Sequence, residues 1–286
     1  MTTPSVPQDA LLMALWSNQL NSLVYVAVAA LCTYDLMLRF QEEVAFLHQA
    51  KWNVAKLLYV SARYMPVLMA PLLIASNQVF NVEDVNCQIL GNLALVSSII
   101  TLFAAESIFL LRTCAMWLTK PYIRYVLLIF IVAVSITNLI IFLGQDKFIS
   151  DVSACKSFGQ PLLWAIILEF LVLELALIIL TVLRCTKDRG STLVEPLLVL
   201  LLRHNIFYYS CGFLLSIVNA LCMWRLNVDY AYPRCLFTVQ ITMHTILATR
   251  MQYQLWEADR ARRCYQSEQY PTSLLFVHPT DVIIAS

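Results

Sequence analysis

Seven long runs of apolar residues alternate with short polar segments along the chain. They cover residues 17–38, 55–76, 88–112, 121–143, 161–183, 197–224 and 231–252. Because a helix rises 1.5 Å per residue, about 20 apolar residues cross a hydrocarbon core of about 30 Å. The runs are continuous rather than alternating with a period of two, which argues against the strands of a membrane barrel. We therefore predict an all-α polytopic membrane protein with a bundle of seven transmembrane helices at residues 17–252.

The segments outside the predicted spans are short. Residues 1–16 form the N-terminus, and residues 253–286 form a tail in which we expect an interfacial helix at about 253–266. The connection at 39–52 mixes charged and apolar side chains, which is typical of an amphipathic helix lying at a membrane surface. An ordinary connector is the alternative, although helix-to-helix loops are usually about 2–8 residues long.

Basic residues are unevenly divided between the two sides of the predicted bundle. Most of the 19 Lys and Arg residues fall in the connections between spans 1 and 2, 3 and 4, and 5 and 6, and in the tail. Cytoplasmic segments carry the excess of Lys and Arg, so we expect the N-terminus outside and the C-terminus in the cytoplasm. The predicted span ends carry the tryptophans expected of an interfacial belt, namely Trp16, Trp52, Trp117, Trp224 and Trp256.

Composition narrows the class of protein further. Apolar residues make up 60% of the chain and charged residues 13%, against about 45–50% and about 25% in soluble domains. So little charge cannot coat two soluble domains, and so much apolar surface excludes intrinsic disorder. A net charge of +1 argues against nucleic acid as a partner. The lipid bilayer is the partner that composition predicts.

The chain has nine cysteines, but neither a CxxC pair nor the Cys/His spacing of a zinc site. The predicted topology places Cys87 and Cys155 on the outer side, where disulfides persist. We predict a disulfide between them, which would tie the longest outer loop to the third span. Two unpaired thiols are the alternative, and Cys235 is the competing partner.

Ionisable residues inside the spans are the first candidates for a functional site. Each costs at least about 2.5–3.5 kcal/mol in lipid unless it faces the interior or a partner. Asp35, Arg63 and Glu106 all fall toward the cytoplasmic ends of their spans. Arg63 can pair with either carboxylate, or it can extend its side chain to the headgroups.

Glu174 and His244 are predicted near the middle of spans 5 and 7. Glu169 precedes Glu174 by five residues, which is about 140° around a helix, so the two cannot face one site. We expect Glu174 to face the interior, with His244 in the same layer. Two separate interhelical hydrogen bonds are the simpler interpretation, and a ligand or proton site is the other.

Several catalytic and cofactor patterns are absent from the sequence. It has no GxGxxG, P-loop, GxSxG or HExxH motif, which gives no support for the common cofactor, phosphate, hydrolase and zinc sites. Lys187 is the last lysine, so a retinal Schiff base in the final helix is excluded. We expect no enzymatic activity, no catalytic residues, no cofactor and no metal.

The segment from Tyr34 to Leu68 resembles the signature of a fungal, basidiomycete membrane family that carries the domain of unknown function 6533. The matching pieces are Tyr34-Asp35, Glu42-Glu43, Lys51-Trp52 and Arg63-Tyr64 with Pro66. Weaker similarity follows at Glu106–Arg112 and Thr245–Arg250, whereas His204-Asn205 departs from the Asp-Gly pair of the family. The resemblance implies a seven-helix membrane protein of uncharacterised function, with no catalytic residues to transfer.

Topology, the predicted disulfide and the missing motifs together favour a receptor-like or sensing bundle. Such a protein would bind a small-molecule ligand and present its cytoplasmic loops to a signalling partner, with the plasma membrane as the expected location. The alternative is a small-solute or proton-coupled transporter that uses Glu174 and His244.

Overall fold

The computed structural model describes residues 8–50, 52–78, 85–117, 122–123, 125–130, 132–134, 136–137, 140, 160–188, 196–225 and 231–269. All regular secondary structure among these residues is helical. The helices that can be bounded are α1 (Gln8–Leu38), α2 (Phe40–Gln49), α3 (Val54–Gln78), α4 (Val85–Met116), α5 (Gln160–Asp188), α6 (Pro196–Arg225) and α7 (Ala231–Gln269).

Five of these helices are long and apolar enough to cross a membrane. The stretches are Leu15–Leu38, Val54–Ser76, Ile89–Met116, Trp164–Thr186 and Asn205–Trp224. They coincide with the predicted spans 1, 2, 3, 5 and 6, and most of their ends lie within a few residues of the predicted ones. The chain is therefore a helical protein of the membrane type.

The two remaining predicted spans have different outcomes. Much of 121–143 lies outside the described residues, although those that are described there are mostly helical and apolar. The last run forms the helix α7. It is not among the five helices apolar enough to cross a membrane, because polar residues such as Gln240, His244 and Arg250 interrupt its apolar run. The helix expected at about 253–266 is present as the continuation of α7, which runs without a break to Gln269; its position at a membrane surface stays a prediction.

The long helices pack with α4 and α7 in the interior. Helix α3 lies along α4, α5 lies along α6, and α7 contacts α1, α3, α4 and α6. Exposed apolar side chains cover the outward faces, as on α1, where Leu23, Val26 and Leu31 are exposed while Tyr25 and Val28 are buried. A bundle in lipid has this distribution because its outer surface needs no polar coat.

The connection predicted as amphipathic forms the helix α2. Glu43 and Phe46 are three residues apart, share one helical face and are buried, whereas Phe40 and Val44 are exposed. Helix α2 lies where α1 ends and α3 begins. We call this end of the bundle the α2 end, and the end where α6 finishes and α7 starts the far end.

Two further features are the prolines of α3 and the tryptophans expected at the span ends. Pro66 and Pro71 lie inside α3, which stays helical through both. Trp16, Trp52 and Trp224 are 70–75% exposed, as belt residues should be. The same expectation for Trp117 is wrong, because its ring is buried and Arg184 lies 5.7 Å from the ring centre.

Candidate functional site

Three ionisable side chains from three helices converge inside the bundle. Glu106 on α4, Glu174 on α5 and His244 on α7 each offer a donor atom, and these atoms lie within 4.8 Å of one another. The three residues are only 6%, 4% and 1% exposed. We call Glu106, Glu174 and His244 the central site.

The hydrogen bonds of His244 define its protonation pattern. Nδ1 lies 2.9 Å from the carbonyl oxygen of Gln240, and because a carbonyl can only accept, Nδ1 must carry the hydrogen. Nε2 directly contacts Glu174 Oε1 and lies 3.8 Å from Glu106 Oε1. A neutral imidazole would then direct a lone pair at two carboxylates, so this position requires a proton or another cation.

A hydrogen-bonded chain leads from Glu174 toward the far end. Ser216 Oγ donates to Glu174 Oε2 at 2.5 Å, and Gln240 Nε2 donates to Ser216 Oγ at 2.7 Å. Asn219 Nδ2 donates to Gln240 Oε1 and, at 3.3 Å, to the carbonyl of Leu236. The donor and acceptor roles are consistent along the whole chain, which links α5, α6 and α7.

Glu106 differs from Glu174 in having no such support. Neither of its carboxylate oxygens has a hydrogen-bond partner among the described residues, and its ionic contact is the one with His244. A buried carboxyl without partners is costly in a protein interior. Both carboxylate oxygens of Glu106 are therefore available to bind a proton or a cation in the central site.

Gly212 on α6 supplies the space that the central site occupies. A Cβ at this position would lie 2.9 Å from Glu174 Oε1 and 3.1 Å from His244 Nε2, closer than ordinary contacts allow. The rings of Phe109 and Phe170 flank the imidazole at centroid distances of 6.3 and 6.2 Å. The imidazole therefore lies between two aromatic rings, and the absence of a side chain at Gly212 leaves room for Glu174 and His244 to meet.

On the side facing the α2 end, buried apolar residues close the site. Phe109, Leu177 and Ala248 lie about one turn beyond Glu106, Glu174 and His244 respectively, and all three belong to one buried cluster. Tyr209 completes the layer, because its ring packs edge-on to Phe109 at 5.3 Å and its hydroxyl donates to the Phe109 carbonyl at 3.1 Å.

A second ionic cluster lies at the α2 end. Arg63 on α3 directly contacts Asp35 Oδ2, donates to the Asp35 carbonyl at 2.9 Å and to Glu43 Oε2 at 3.2 Å. Arg250 on α7 donates to Asp35 Oδ1 at 2.7 Å. We call Asp35, Glu43, Arg63 and Arg250 the ionic network, and it ties α1, α2, α3 and α7 together.

Further contacts hold α2 against this network. Lys56 Nζ donates to the carbonyls of Leu47 and Ala50, at 2.6 and 2.8 Å, which satisfies carbonyl groups left free where α2 ends.

Aromatic packing joins α2 to both α3 and α7. The Phe46 ring packs on Tyr59 of α3 at 4.7 Å, and on Trp256 and Tyr253 of α7 at 5.3 and 6.5 Å. Burial, together with the carboxylates of Glu42 and Glu257, raises the pKa of the Tyr253 phenol above its ordinary value.

The structure separates the predicted site residues into two groups. Arg63 pairs with Asp35 and is 8% exposed, so it neither pairs with Glu106 nor extends to the headgroups. Glu174 and His244, predicted in one layer, are in direct contact. Glu106 joins them instead of the cytoplasmic-end residues.

Several members of these clusters were missed in the sequence. Glu43 joins Arg63 from a segment expected to lie at the membrane surface, and its helical spacing from Phe46 was the available signal. Gly212, Ser216 and Gln240 gave no signal of a site, because glycine is frequent in membrane helices and Ser and Gln commonly form ordinary hydrogen bonds between helices.

The predicted disulfide stays a prediction. Cys155 lies outside the described residues, and Cys87 lies in the first turn of α4.

Comparison with known families identifies part of the chain. Residues 23–68 match the model of a family of unknown function, DUF6533. No curated protein matches the chain, and no solved structure does. The matched segment contains Asp35, Glu43 and Arg63 of the ionic network, whereas the central site lies outside it.

Proposed function

We propose that the protein is a receptor-like sensing bundle of seven transmembrane helices, with the N-terminus outside and the α2 end in the cytoplasm. The central site is the sensing element, and a change of charge there alters the α2 end, which faces a cytoplasmic signalling partner. The protein catalyses no reaction in this account, and a small ligand or cation occupies the central site. The plasma membrane is the expected location.

The observation that carries this proposal is the direction of the side-chain hydrogen bonds of the central site, which among the described residues extend toward the far end and not toward the α2 end. Side-chain hydrogen bonds run from Glu174 through Ser216 and Gln240 to Asn219 near the far end. Apolar packing does not distinguish the two sides. The turn toward the α2 end holds buried Phe109, Leu177 and Ala248, and the turn toward the far end holds buried Leu102, Phe170 and Ile241. A transporter must open its site to each side in turn, whereas a sensor needs access from one side only.

Helix α7 provides the physical connection from the site to the α2 end. It carries His244 of the central site, and six residues later, about 9 Å along the axis, Arg250 of the ionic network. Tyr253 and Trp256, about one and nearly two turns further along α7, contact Phe46 of α2. A small shift or rotation of α7 would therefore move contacts at both ends, which is how packed helices transmit changes.

The proposal is tested by amide hydrogen exchange on the full chain in lipid nanodiscs. Glu174→Gln and His244→Gln change the charge of the central site, and we expect each to change exchange in residues 40–56 relative to the unmodified protein. Glu169→Gln is the matched control, because Glu169 lies on the same helix, five residues away and outside the central site. It should leave exchange at 40–56 unaltered.

A proton-coupled transporter is the second candidate, because a His–Glu contact inside a bundle can carry a proton. Vesicles containing the protein and a pH-sensitive dye separate the two functions. The sensing proposal expects no proton flux above that of empty vesicles. Flux that His244→Gln abolishes, with exchange at 40–56 equal in all variants, would overturn sensing in favour of transport.

A further inference from the structure

The geometry points to Glu106, Glu174 and His244 as the three protein ligands of a divalent transition-metal ion of the Zn²⁺ type. This inference rests on the sensing role proposed for the central site and names the class of ligand that the site takes.

The spacing of the donor atoms fits a small metal ion. A tetrahedral ion with bonds of about 2.0–2.1 Å to nitrogen and oxygen places its donors about 3.3 Å apart. His244 Nε2 and Glu106 Oε1 lie 3.8 Å apart, and all three donor atoms lie within 4.8 Å of one another. For the three donors to surround an ion, Glu174 Oε1 and His244 Nε2, which are in direct contact, would move apart, and Glu106 Oε1 would move closer.

The charge of the site also requires a cation. Two carboxylates are buried in one small volume, and Glu106 has no hydrogen-bond partner for either oxygen within the described part of the chain. A divalent ion between Glu106 and Glu174 cancels both negative charges, which removes the penalty for burying them in an apolar bundle. The unpartnered Glu106 is the observation that a structural hydrogen-bond network does not explain.

The remaining contacts orient two of the three ligands as metal sites commonly do. His244 holds Nδ1 against the Gln240 carbonyl at 2.9 Å, which leaves the Nε2 lone pair free to bind metal. Glu174 Oε2 accepts from Ser216 at 2.5 Å, which leaves Oε1 directed at the site. Such outer hydrogen bonds fix the tautomer and the rotamer of a ligand.

The ligand set distinguishes between classes of metal. An imidazole nitrogen favours Zn²⁺ and its neighbours in the transition series, whereas Ca²⁺ and Mg²⁺ prefer sites built from oxygen. Three protein ligands leave a fourth position for water or for a further ligand, as in zinc sites that are open. Gly212 lies beside the metal-binding atom of His244, because a Cβ at this position would be 3.1 Å from His244 Nε2.

The test measures Zn²⁺ binding by the purified full chain in nanodiscs after a chelator wash. We expect one Zn²⁺ per chain at the site, and Glu106→Gln, Glu174→Gln and His244→Gln should each weaken its binding by about 100-fold or more. Loss of a ligand should exceed the 10–100-fold cost of losing an outer hydrogen bond. Glu169→Gln is the control and should bind as the unmodified chain does.

All of these variants retain the nine cysteines, so any Zn²⁺ held by thiols is common to them and cancels. Equal stoichiometry and affinity in the unmodified chain and in the three ligand variants would overturn the metal site and leave a shared proton as the cation.

Gly212→Ala keeps the test informative if a ligand variant fails to fold. Its methyl group would lie within 2.9 Å of Glu174 Oε1, so we expect at least about tenfold weaker Zn²⁺ binding with all three ligands intact. Gly91→Ala is the matched control, because a Cβ there meets nothing within 4 Å, and binding should be unchanged. Equal affinity for the two alanine variants and the unmodified chain would contradict the site.

Two outcomes separate the metal site from the sensing role. Absence of Zn²⁺ binding with altered exchange at 40–56 in the charge variants would remove the metal and keep the sensor. Zn²⁺ binding that leaves exchange at 40–56 unaltered would keep the metal site and remove the sensor.

Discussion

Replacing Arg63 by Met should strongly destabilise the folded bundle. Arg63 donates to two carboxylates and one carbonyl, and its side chain is 7% exposed. The substitution keeps most of the side-chain volume and removes the charge. It leaves Glu43, 2% exposed, without its described cationic partner.

The magnitude follows from those contacts. A hydrogen bond to a charged group contributes about 1.5–3 kcal/mol, and removal of one partner of a buried ion pair costs about 3–5 kcal/mol. Asp35 keeps Arg250 as a partner, so the loss does not reach the sum of three separate bonds. We expect the free energy of unfolding to fall by about 3–5 kcal/mol.

Arg250→Met is the matched control, because Arg250 binds the same Asp35 carboxylate at 2.7 Å but its side chain is 39% exposed. Arg250 is partly exposed and Asp35 keeps Arg63 as a partner, so the free energy of unfolding of this variant should fall by only about 1 kcal/mol. Reversible unfolding in mixed micelles with increasing denaturing detergent measures both changes. Equal losses for the two variants, each below about 1 kcal/mol, would refute the buried ionic network.

The remaining predictions concern α2 and its contacts. Phe46→Ala removes a ring that is 3% exposed, so it should lower the free energy of unfolding by about 3–5 kcal/mol and accelerate amide exchange in α2. Val44→Ala, at an exposed position, should change neither quantity. Lys56→Met removes both hydrogen bonds to the carbonyls near the end of α2, so the last turn of α2 should exchange faster, with His48→Gln at an exposed position as the control. Because the pKa of Tyr253 is raised on folding, its contribution to stability should be complete below the ordinary phenol pKa and lost as pH rises through the raised value. Glu42→Gln should lower the Tyr253 pKa in a spectrophotometric titration referenced to Tyr253→Phe, and an unchanged pKa would contradict the charge effect.

The fold was largely predictable because length and hydropathy determine where a helix can cross lipid. The runs at 55–76 and 161–183 correspond to candidate spans Val54–Ser76 and Trp164–Thr186. The helix expected at 253–266 is present, but its continuity with the last span was not predicted, because the change in polarity at residue 253 gives no sign of whether one helix continues or a new one begins. In the structure Tyr253 and Trp256 pack on Phe46, and this tertiary contact accompanies the continued helix.

The sequence predicted most of the ionisable residues of the candidate sites, but not which of them contact one another. Arg63, Glu106 and His244 could be selected from the sequence, because an ionisable side chain in a membrane span is costly unless it faces the interior or a partner. Their pairing depends on helix rotation and on which helices are neighbours, and neither is encoded locally. Glu106 was assigned to the layer of Asp35 from its position in the sequence, yet the packing of α4 against α5 and α7 places it beside Glu174 and His244.

X-ray absorption at the zinc edge of the Zn²⁺-loaded chain tests the central site most directly. We expect a first shell of nitrogen and oxygen at about 2.0–2.1 Å with scattering from one imidazole, and we expect His244→Gln to remove the imidazole signal. Nine cysteines offer the competing ligands, and sulfur lies at about 2.3 Å from zinc. A shell dominated by sulfur, unchanged in His244→Gln, would contradict a metal held by Glu106, Glu174 and His244.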